Sequence, residues 1–344
     1  MHNNRINKII SSLNQQAYLV TDKNDLFYLT GLDLEGFWLL LTPKGFFAFT
    51  PPMFAGQLRG LLVGGKVIAG KNLINSIIEL CKAKSIKTLG LDYSKVNHKL
   101  AGAFAGSIEI KNSDGLLDEY RLIKDKREIE LVIKSSKIAV SALKYARRFM
   151  KPGVTELQIM FKIEEYFAKC QAQPAFPIIV AFGPNSANPH HISSARKIKK
   201  NDVILVDLGC RYKGYCSDLT RTLNLGKITN SFKEVNALVR EAHDRAVKRV
   251  KNGVKASEVD AAARQVISDG GYADNFVHTT GHGLGIEVHE PPRLSVADGS
   301  VLKSGMFVTV EPGIYLPGKF GVRHENLLLV NEKGNEVLTD DFDF

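Results

Sequence analysis

The first third of the chain alternates between apolar patterns of helical period and of strand period. Asn4–Leu13 and Leu73–Ala83 have the spacing of amphipathic helices, whereas Ala17–Val20 and Thr88–Asp92 are short apolar runs typical of strands. Trp38–Phe49 predicts a hairpin, because two apolar runs flank a Pro-Lys-Gly turn. We expect these alternating elements to form a small α/β domain.

The pattern changes at a charge-rich segment, Leu116–Ile129, which reads LLDEYRLIKDKREI. A chain of 344 residues is long enough for two domains, one of which can be small. We therefore predict a boundary near residue 120. Residues 1–120 would form the N-terminal α/β domain, and residues 121–344 would form a larger second domain.

Two helical pairs occur in the larger predicted domain, about 100 residues apart. Lys126–Met150 carries an apolar stripe of helical period, and Thr155 with Gln158 predicts a capping box for a second helix. Val235–Val250 repeats the first pattern, and Ser257 is expected to cap the helix that follows it.

A predicted β-hairpin follows the first helical pair and contains two aspartates. Its strands are Val203–Leu208 and Tyr215–Thr222, joined by a turn at residues 212–214. Folding about this turn places Asp207 opposite Asp218, with Cβ atoms about 4.5–5.5 Å apart. Two buried carboxylates this close resist ionising together unless a cation lies between them. Taken alone, the pair is better explained by a surface hairpin with solvated aspartates.

A second hairpin, Phe307–Val330, follows the second helical pair and repeats the arrangement. Folding about Gly318 places Glu311 opposite Glu325. One helix–helix–hairpin unit therefore occurs twice, each time with a cross-strand pair of carboxylates. This internal duplication is a more specific signal than either pair alone. It predicts two halves, and if these pack face to face the four carboxylates converge.

Four converging carboxylates carry a charge that two divalent cations would balance. His282 is the natural nitrogen ligand, because the glycines within Gly281–Gly285 let the backbone approach closely. An oxygen-rich site with one imidazole suits Mn²⁺, Co²⁺ or Zn²⁺. Two such ions about 3.5–4 Å apart lower the pKa of a shared water, which predicts hydrolysis at a carbonyl or phosphoryl centre.

Composition and charge narrow the class of protein. Apolar residues make up 44% of the chain and charged residues 24%, as in a soluble globular protein. The net charge of +10 is spread along the chain, so we expect no nucleic-acid partner. Met1–Asn14 lacks the apolar core of a signal peptide, and the longest apolar run, Gly36–Thr42, is too short to cross a membrane. The four cysteines include no CxxC pair, which favours a cytoplasmic location.

Six motifs of the larger predicted domain resemble those of a known family. They are NPHH (Asn188–His191), VDLG (Val206–Gly209), SDLTRT (Ser217–Thr222), GHGLGIEVHE (Gly281–Glu290), VEPGIY (Val310–Tyr315) and GVRHEN (Gly321–Asn326). Together they resemble the metallopeptidases of the pita-bread fold, family M24, and among these the Xaa-Pro peptidases aminopeptidase P and prolidase. Tyr28–Gly31 is similar to the creatinase-type N-terminal domain of these enzymes. The resemblance implies an α/β (α+β) chain, in which a smaller α/β domain precedes a pita-bread domain with a pseudo-twofold duplication.

The resemblance also implies a metal-binding role for five residues. Asp207 would bind one ion, and His282 with Glu311 would bind the other. Asp218 and Glu325 would bridge the two ions. A hydroxide bridging the ions would attack the carbonyl before proline, and Glu311 would carry the proton.

Four further residues receive roles from the resemblance. His190 and His289 would stabilise the tetrahedral intermediate, as oxyanion donors do. His278 is similar to a substrate-pocket histidine, and a purely structural role for it stays open. Arg323, placed in the substrate site, is expected to orient Glu325 by a charge-assisted hydrogen bond.

Three residues depart from the family pattern. The family usually has Ile-Glu-Asp where this chain has His324-Glu325-Asn326, and His191 stands where Tyr often follows the catalytic histidine. The replacements at positions 324 and 326 are expected to alter the hydrogen bonds around Glu325 and the metal preference. None of the three changes removes a ligand, so we expect activity.

We therefore expect a dinuclear-metal exopeptidase that cleaves an Xaa-Pro bond. It would use two Mn, Co or Zn ions, act on peptides with proline in second position, and form a homodimer. The sequence leaves open whether it takes longer peptides, as an Xaa-Pro aminopeptidase does, or dipeptides, as prolidase does. A methionine-aminopeptidase-like exopeptidase is the first alternative, although most of these lack the N-terminal domain. A metal-free creatinase-like hydrolase and a non-catalytic binding module are further alternatives, and both are expected to have lost ligands.

Overall fold

The structure, a computed structural model, describes residues 2–227 and 229–340, without the side chain of Asn3. Residues 341–344, the end of the second predicted domain, lie outside the described residues. The chain divides into two compact units, Met1–Arg121 and Leu122–Phe344. Within the described residues, no helix combines the length and the apolar character that a membrane span requires.

The first unit is built from short helices and strands that alternate along the chain. Its helices are α1 (His2–Ser12), α2 (Lys23–Thr30), α3 (Pro52–Leu61), α4 (Leu73–Ala83), α5 (His98–Gly102) and α6 (Leu116–Leu122). Its strands are β1 (Ala17–Val20), β2 (Trp38–Thr42), β3 (Gly45–Thr50), β4 (Lys66–Ala69), β5 (Thr88–Leu91) and β6 (Glu109–Asn112). The helices, strands and hairpin predicted for this region are confirmed within one or two residues at each end.

The strands of this unit form a mixed sheet in the order β4-β3-β2-β1-β5-β6. Antiparallel pairing joins β1 to β2 and β2 to β3. The pairs β3–β4, β1–β5 and β5–β6 are parallel. Buried side chains of the sheet, such as Leu19, Leu40 and Phe49, pack with Ile77 of α4 and with Phe104. The predicted α/β class of this domain is confirmed.

A buried carboxylate ties three segments of the first unit together. Asp25, in the first turn of α2, is 1% exposed and pairs with Arg121 and with Lys95, each at 2.8 Å. Lys95 also pairs at 2.6 Å with Asp118, whose side chain is 29% exposed. Because a buried charge that loses its partner is strongly destabilising, these pairs hold α2, α6 and the segment after β5 together.

The second unit contains two helical pairs, each followed by strands. Its helices are α7 (Lys126–Arg147), α8 (Glu156–Lys169), α9 (Asn230–Arg249) and α10 (Ala256–Asp269), with 3₁₀ turns at Gly183–Ala187 and Ala273–Asn275. The strands after the first pair are β7 (Gln173–Pro174), β8 (Ile179–Phe182), β9 (Val203–Leu208), β10 (Cys210–Tyr212), β11 (Tyr215–Cys216) and β12 (Leu219–Asn224). Those after the second pair are β13 (Gly281–Gly283), β14 (Glu290–Leu294), β15 (Phe307–Val310), β16 (Gly313–Leu316), β17 (Phe320–Arg323), β18 (Asn326–Val330) and β19 (Asn335–Val337).

Among the described residues of the second unit, each repeat has a large hydrophobic core of its own. In the first, α7 and α8 pack on the sheet β12-β9-β8, with Leu143 and Ile163 among the buried residues. In the second, α9 and α10 pack on the sheet β14-β13-β15-β18-β19, with Val239 and Val266 in the core. The predicted internal duplication is therefore confirmed.

One of the two predicted helix caps is present in the structure, and the other is not. Thr155 and Gln158 form the expected capping box at the start of α8, with both reciprocal hydrogen bonds present. The predicted cap at Ser257 is wrong, because α10 begins at Ala256 after Lys255, whose side chain makes no capping bond.

The first hairpin of this unit pairs two residues away from the predicted register. Asp207 lies opposite Thr220 in the β9–β12 ladder, and Asp218 falls in the short break between β11 and β12. The turn is the cause: Lys213 and Gly214 have positive φ values of 47° and 85°, as in a two-residue type I′ turn, so the chain folds between them. Strand side chains alternate with period two, so this shift leaves both aspartates on the same face.

The second hairpin has the predicted register. Phe307 pairs with Leu329 and Gly313 pairs with Arg323, on either side of an interruption in the ladder. Glu311 and Glu325 lie in this interruption, and the shared register of the flanking ladders places them opposite each other. Each repeat thus brings two carboxylates to the junction between the two halves.

We predict that Asp25→Ala destabilises the first unit much more than Asp118→Ala, although both aspartates pair with Lys95. Asp25→Ala should lower the free energy of unfolding by about 3 kcal/mol, because it removes the buried counter-charge that Arg121 and Lys95 share. Asp118→Ala should cost less than about 1 kcal/mol, because that carboxylate is partly solvated. Urea titration of the two variants measures the difference, and equal costs would contradict the structural role given to Asp25.

Candidate metal centre and active site

A cavity of about 1210 Å³ is lined by residues of both repeats of the second unit. Part of the lining is apolar and comes from α8 and from the strands and loops of the first repeat. The polar part contains all the predicted site residues: His190, Asp207, Asp218, His278, His282, His289, Glu311, Arg323 and Glu325. The structure thus brings together residues that are up to 135 positions apart in the chain.

The lining of this cavity includes a compact set of metal-ligand atoms. One atom each from Asp218, His282 and Glu325 lie within 4.8 Å of one another, and all three residues are buried. His282 Nε2 is 3.8 Å from Asp218 Oδ2 and 3.2 Å from Glu311 Oε1. Three carboxylates around one imidazole nitrogen form the type of ligand set that divalent first-row metals take.

Two carboxylates at this centre each present one oxygen that no hydrogen-bond donor of the described residues satisfies. These buried oxygens are Asp207 Oδ1 and Glu325 Oε1. The other oxygen of each group is held by the protein, since Arg323 Nη2 donates to Asp207 at 2.5 Å and Thr220 Oγ1 donates to Glu325 at 2.6 Å. One oxygen of each carboxylate is therefore fixed, and the other is available to a cation.

Electrostatics at the centre also favours cation binding. Burial and the charges of Glu325 and Asp207 raise the pKa of Asp218 well above its usual value. Burial and the charges of Glu311 and Asp207 do the same to the pKa of Glu325. Burial also acts to raise the pKa of Glu311, but the hydrogen bond and positive charge of His282 outweigh it and bring that pKa to about 2. Divalent cations would relieve the repulsion, so the residues fit a metal site.

Backbone packing fixes the orientation of His282. Its Nδ1 lies 3.1 Å from the carbonyl oxygen of Gly283, and this hydrogen bond assigns one proton to Nδ1. Nε2 therefore faces the carboxylates, where it donates to Glu311 in the metal-free chain and would offer its lone pair to a bound cation. The flanking glycines allow no side chain, because a Cβ at Gly281 would collide with Thr309 O and a Cβ at Gly283 with Pro291 O. The tight packing of β13 therefore sets the direction of the imidazole.

Arg323 orients Asp207, and the expectation that it orients Glu325 directly is wrong. Its guanidinium donates to Asp207, to the Tyr315 hydroxyl at 2.7 Å and, through Nε, to Thr220 Oγ1 at 3.0 Å. It reaches Glu325 only through Thr220. Because Arg323 is 3% exposed and these protein groups surround it, its geometry supports positioning of ligands and not contact with substrate.

His278 connects the cavity wall to this network. Its Nε2 lies 2.9 Å from the Tyr315 hydroxyl, and its Nδ1 lies 2.8 Å from the carbonyl oxygen of Thr279. Burial lowers the pKa of His278 and raises that of Tyr315 to about 12, so both side chains are neutral. A neutral Tyr315 accepts a hydrogen bond from Arg323 and donates its own to His278, which links His278 to Asp207 through two side chains.

The two predicted oxyanion-stabilising histidines are exposed on the cavity wall. The His289 ring meets the His282 ring edge-on, with centroids 4.4 Å apart. Burial and the neighbouring His282 lower the pKa of His289, which keeps its imidazole neutral. His190 lies on the loop that follows the 3₁₀ turn at Gly183–Ala187, next to His191, which also lines the cavity.

The two replacements beside Glu325 contact neighbouring elements. The His324 ring packs edge-on against His243 of α9, with centroids 4.6 Å apart. Asn326 Oδ1 accepts a hydrogen bond from Arg221 Nη2 at 2.7 Å, and the same guanidinium also donates to the Glu325 backbone carbonyl. Both replacements therefore affect the segment that carries Glu325 and leave its side chain bonded to Thr220.

Sequence reasoning missed three residues of this site. Arg293 lines the cavity and lies opposite His282 in the β13–β14 ladder. Tyr315, part of the VEPGIY motif, joins His278 to Arg323. Glu156 lies behind the loop that carries His190. The hairpin register could have revealed Arg293, whereas nothing in the sequence separates Glu156 from an ordinary acidic residue in the first turn of a helix.

Comparison with known proteins identifies the family. Residues 130–332 match metallopeptidase family M24, and residues 4–123 match the creatinase/prolidase N-terminal domain. An Xaa-Pro dipeptidase from Pyrococcus furiosus is 39% identical over 74% of each chain. The solved structure of an Xaa-Pro dipeptidase from Bacillus anthracis has a TM-score of 0.94 and 33% identity, and the match covers 100% of this chain and 98% of that one. The solved structure of an X-Pro aminopeptidase from Thermotoga maritima has a TM-score of 0.87 and 32% identity, and the match covers 97% of each chain.

The chain therefore belongs to metallopeptidase family M24. Its predicted resemblance and fold class are confirmed, since a creatinase-type N-terminal domain precedes a pita-bread domain. The protein is a metallopeptidase, and its family uses divalent metal and acts on peptides.

We expect divalent metal to stabilise this protein more at neutral pH than at acidic pH. Without metal, the raised pKa values of Asp218 and Glu325 mean that the folded chain keeps protons that the unfolded chain releases above about pH 4, so stability falls as the pH rises. A bound cation replaces those protons. Thermal unfolding of metal-free and Mn²⁺-loaded protein at about pH 5 and about pH 7.5 measures the effect.

The double variant Asp218→Asn/Glu325→Gln is the control for this measurement. It removes both carboxyl groups that have raised pKa values, with little change in side-chain volume. The metal-induced shift of its unfolding temperature should therefore no longer depend on pH. A metal-induced shift of the unfolding temperature that is equal at both pH values, or larger at acidic pH, would contradict the assignment.

Proposed function

We propose that this member of metallopeptidase family M24 is an Xaa-Pro exopeptidase that works with two divalent ions. The observation that carries the proposal is the convergence of four carboxylates and one imidazole, contributed by both repeats, on the wall of a single cavity. Relatives and structural neighbours named Xaa-Pro dipeptidase or X-Pro aminopeptidase support the choice of the Xaa-Pro bond.

The residues proposed to hold the two ions divide into terminal and bridging ligands. Asp207 would hold one ion and His282 with Glu311 would hold the other, and Asp218 and Glu325 would serve both. The chemistry that such ions supply is polarisation of the scissile carbonyl and a lowered pKa for a water molecule. Mn²⁺, Co²⁺ and Zn²⁺ are the proposed ions, because the ligand set combines oxygen atoms with one imidazole nitrogen.

The chain's own residues supply proton transfer and stabilisation of charge. Glu311, with a pKa of about 2, is ionised at neutral pH and is proposed to accept a proton at Oε1, which lies 3.2 Å from His282 Nε2. His190 and His289 line the cavity and are proposed to stabilise the developing oxyanion through ring N–H groups. His278 is proposed to line the substrate pocket, and Arg323 to hold Asp207 in place.

Dipeptides are the substrates that the site supports best. The exposed Arg293 on the cavity wall offers a cation for the free carboxylate that follows proline in an Xaa-Pro dipeptide. The P. furiosus and B. anthracis proteins, both named Xaa-Pro dipeptidase, support the same choice. Longer peptides are the alternative, which the T. maritima X-Pro aminopeptidase supports.

The remaining expectations concern domains, assembly and location. We propose residues 1–120 as the N-terminal domain and residues 121–344 as the catalytic domain, with support from the two compact units. A homodimer without nucleic-acid or membrane partners rests on the family resemblance and on the dispersed charge. A cytoplasmic location is supported by the cysteines, all four of which lie in the described residues as free thiols.

We predict that the metal-loaded protein hydrolyses Leu-Pro faster than Leu-Pro-Gly and leaves Leu-Ala intact. Product release with Mn²⁺, Co²⁺ or Zn²⁺ added separately measures both the substrate preference and the metal preference. Arg293→Ala should raise the KM for Leu-Pro by about tenfold and leave that for Leu-Pro-Gly unchanged, because only the dipeptide places its carboxylate there. Cleavage of the tripeptide alone would establish an aminopeptidase, and cleavage of neither proline peptide would overturn the proposed function.

Removal of either bridging carboxylate should abolish turnover without unfolding the protein. Asp218→Ala and Glu325→Ala should each lower kcat by more than about 100-fold, because even groups that only support metal ligands are worth about 10–100-fold. Circular dichroism checks the fold, and elemental analysis should find about two ions per wild-type chain and fewer in the variants. Wild-type rates in either variant would exclude this mechanism, and wild-type protein without metal would favour a binding module.

A further inference from the structure

Glu156 is a buried carboxylate that lies outside the metal centre and has no role in the mechanism described above. It occupies the first turn of α8, and its exposed fraction is 0%. Five hydrogen-bond donors surround it. Phe182 N (2.9 Å) and Asn185 Nδ2 (2.8 Å) donate to Oε1, whereas His191 Nε2 (2.8 Å), Ser194 N (2.9 Å) and Ser194 Oγ (2.6 Å) donate to Oε2.

These donors come from both ends of one segment, residues 182–194, and from its interior. Phe182 ends β8, Asn185 belongs to the 3₁₀ turn, and Ser194 precedes the return towards β9. The backbone bond from Leu157 N to Ser194 O anchors the same end to α8. A single carboxylate thus closes the segment into a loop, in which each carboxylate oxygen holds one end.

The loop closed by Glu156 carries His190 to the cavity wall. Among the described residues, no side chain bonds the His190 imidazole, and its backbone N–H donates to Asn188 Oδ1 at 3.1 Å. The position of this ring therefore depends on the course of the loop backbone. The adjacent His191 is bonded directly to Glu156, which fixes the backbone one residue beyond His190.

We propose that Glu156 is a positioning residue that holds the His190 loop in its productive place on the cavity wall. The proposal rests on the role given to His190 in the proposed function. Glu156 acts through the loop and touches neither the metal ligands nor the substrate.

An ionised carboxylate is the group that this position requires. Burial acts to raise the pKa of Glu156, but the hydrogen bonds from Ser194, His191, Phe182 and Asn185 outweigh burial and hold the pKa below its usual value. Hydrogen bonds to an ionised acceptor are stronger than those to a neutral one. A glutamine of the same size has only one oxygen, so its amide nitrogen would face the donors at one end of the loop.

The variant Glu156→Gln tests this role in the metal-loaded full-length protein, with Leu-Pro and Leu-Pro-Gly as substrates. We expect kcat to fall by about 10- to 100-fold, because small displacements of a reacting group have effects of this size, and KM to change by less than about threefold. Glu165→Gln is the matched control on α8, since Glu165 binds Lys162 and Tyr145 and faces away from this loop network. It should keep wild-type kinetics.

A double-mutant cycle with His190→Ala separates positioning from general stability. If Glu156 acts through His190, Glu156→Gln should cost less than about threefold once His190 is absent. An equal loss in both backgrounds would overturn the proposal, as would a loss of bound metal in Glu156→Gln, because either result means that Glu156 acts elsewhere.

A readout without turnover keeps this test independent of the proposed function. Amide hydrogen exchange of residues 182–194 should be faster in Glu156→Gln than in the wild type and in Glu165→Gln. Unchanged exchange would overturn the proposal even if the kinetics agreed. If the wild type cleaves neither peptide, the proposed function fails, and exchange alone decides whether Glu156 holds the loop.

Should Glu156→Gln not fold, Ser194→Ala tests the same contact with less disturbance. It removes the 2.6 Å bond to Oε2 and leaves the carboxylate with its other donors. We expect the same direction of change in exchange and in kcat, at smaller size. Wild-type values for both quantities in a folded Ser194→Ala variant would count against the proposal.

Discussion

The crowding of four carboxylates at one junction is the constraint on which the rest of the catalytic unit depends. Two of them are balanced within the protein, since Asp207 meets Arg323 and Glu311 meets His282. Asp218 reaches the same imidazole only at 3.8 Å, and among the described residues no cationic side chain is paired with Glu325. The raised pKa values of both groups reflect the cost of bringing them together. Apolar residues at buried positions of this kind are often as stabilising or more so, so stability does not account for the carboxylates and cation binding does.

Much of this arrangement could be predicted because it follows from periodicity. The helical stripes and paired strands recur about 100 residues apart, and the recurrence predicted both the duplication and the convergence of the carboxylates. The register of the second hairpin was right. That of the first was two residues off, because the positive φ of Lys213 is set by the fold and not by residue type. The error did not change which face the aspartates occupy, since side chains alternate with a period of two.

Other features could not be predicted because they depend on contacts distant in sequence. The sequence predicts that Arg323 orients Glu325, which lies two residues further along the chain. However, β17 ends at Arg323, and its guanidinium donates to Asp207 instead. Strands β4 and β6 were missed because they lie at the edges of their sheet and have mostly exposed residues without alternation. Glu156 resembles any acidic residue near a helix start. Asp260 on α10, also buried, holds Thr280 close to His282, so a helix-borne carboxylate supports a site segment in both repeats.

The glycines on either side of His282 bear on how the enzyme can change over evolution. Because Gly281 and Gly283 lie against carbonyl oxygens of the neighbouring strands, a substitution at either position would displace β13 together with its imidazole. Substitutions at these two positions are therefore not neutral. A second substitution could compensate for one only by shifting the whole set of strand pairs that β13 makes. The cavity wall around His190 and Arg293 is exposed and built from side chains. A change of substrate preference that leaves β13 in place would therefore have to come from side chains of that wall, such as Arg293.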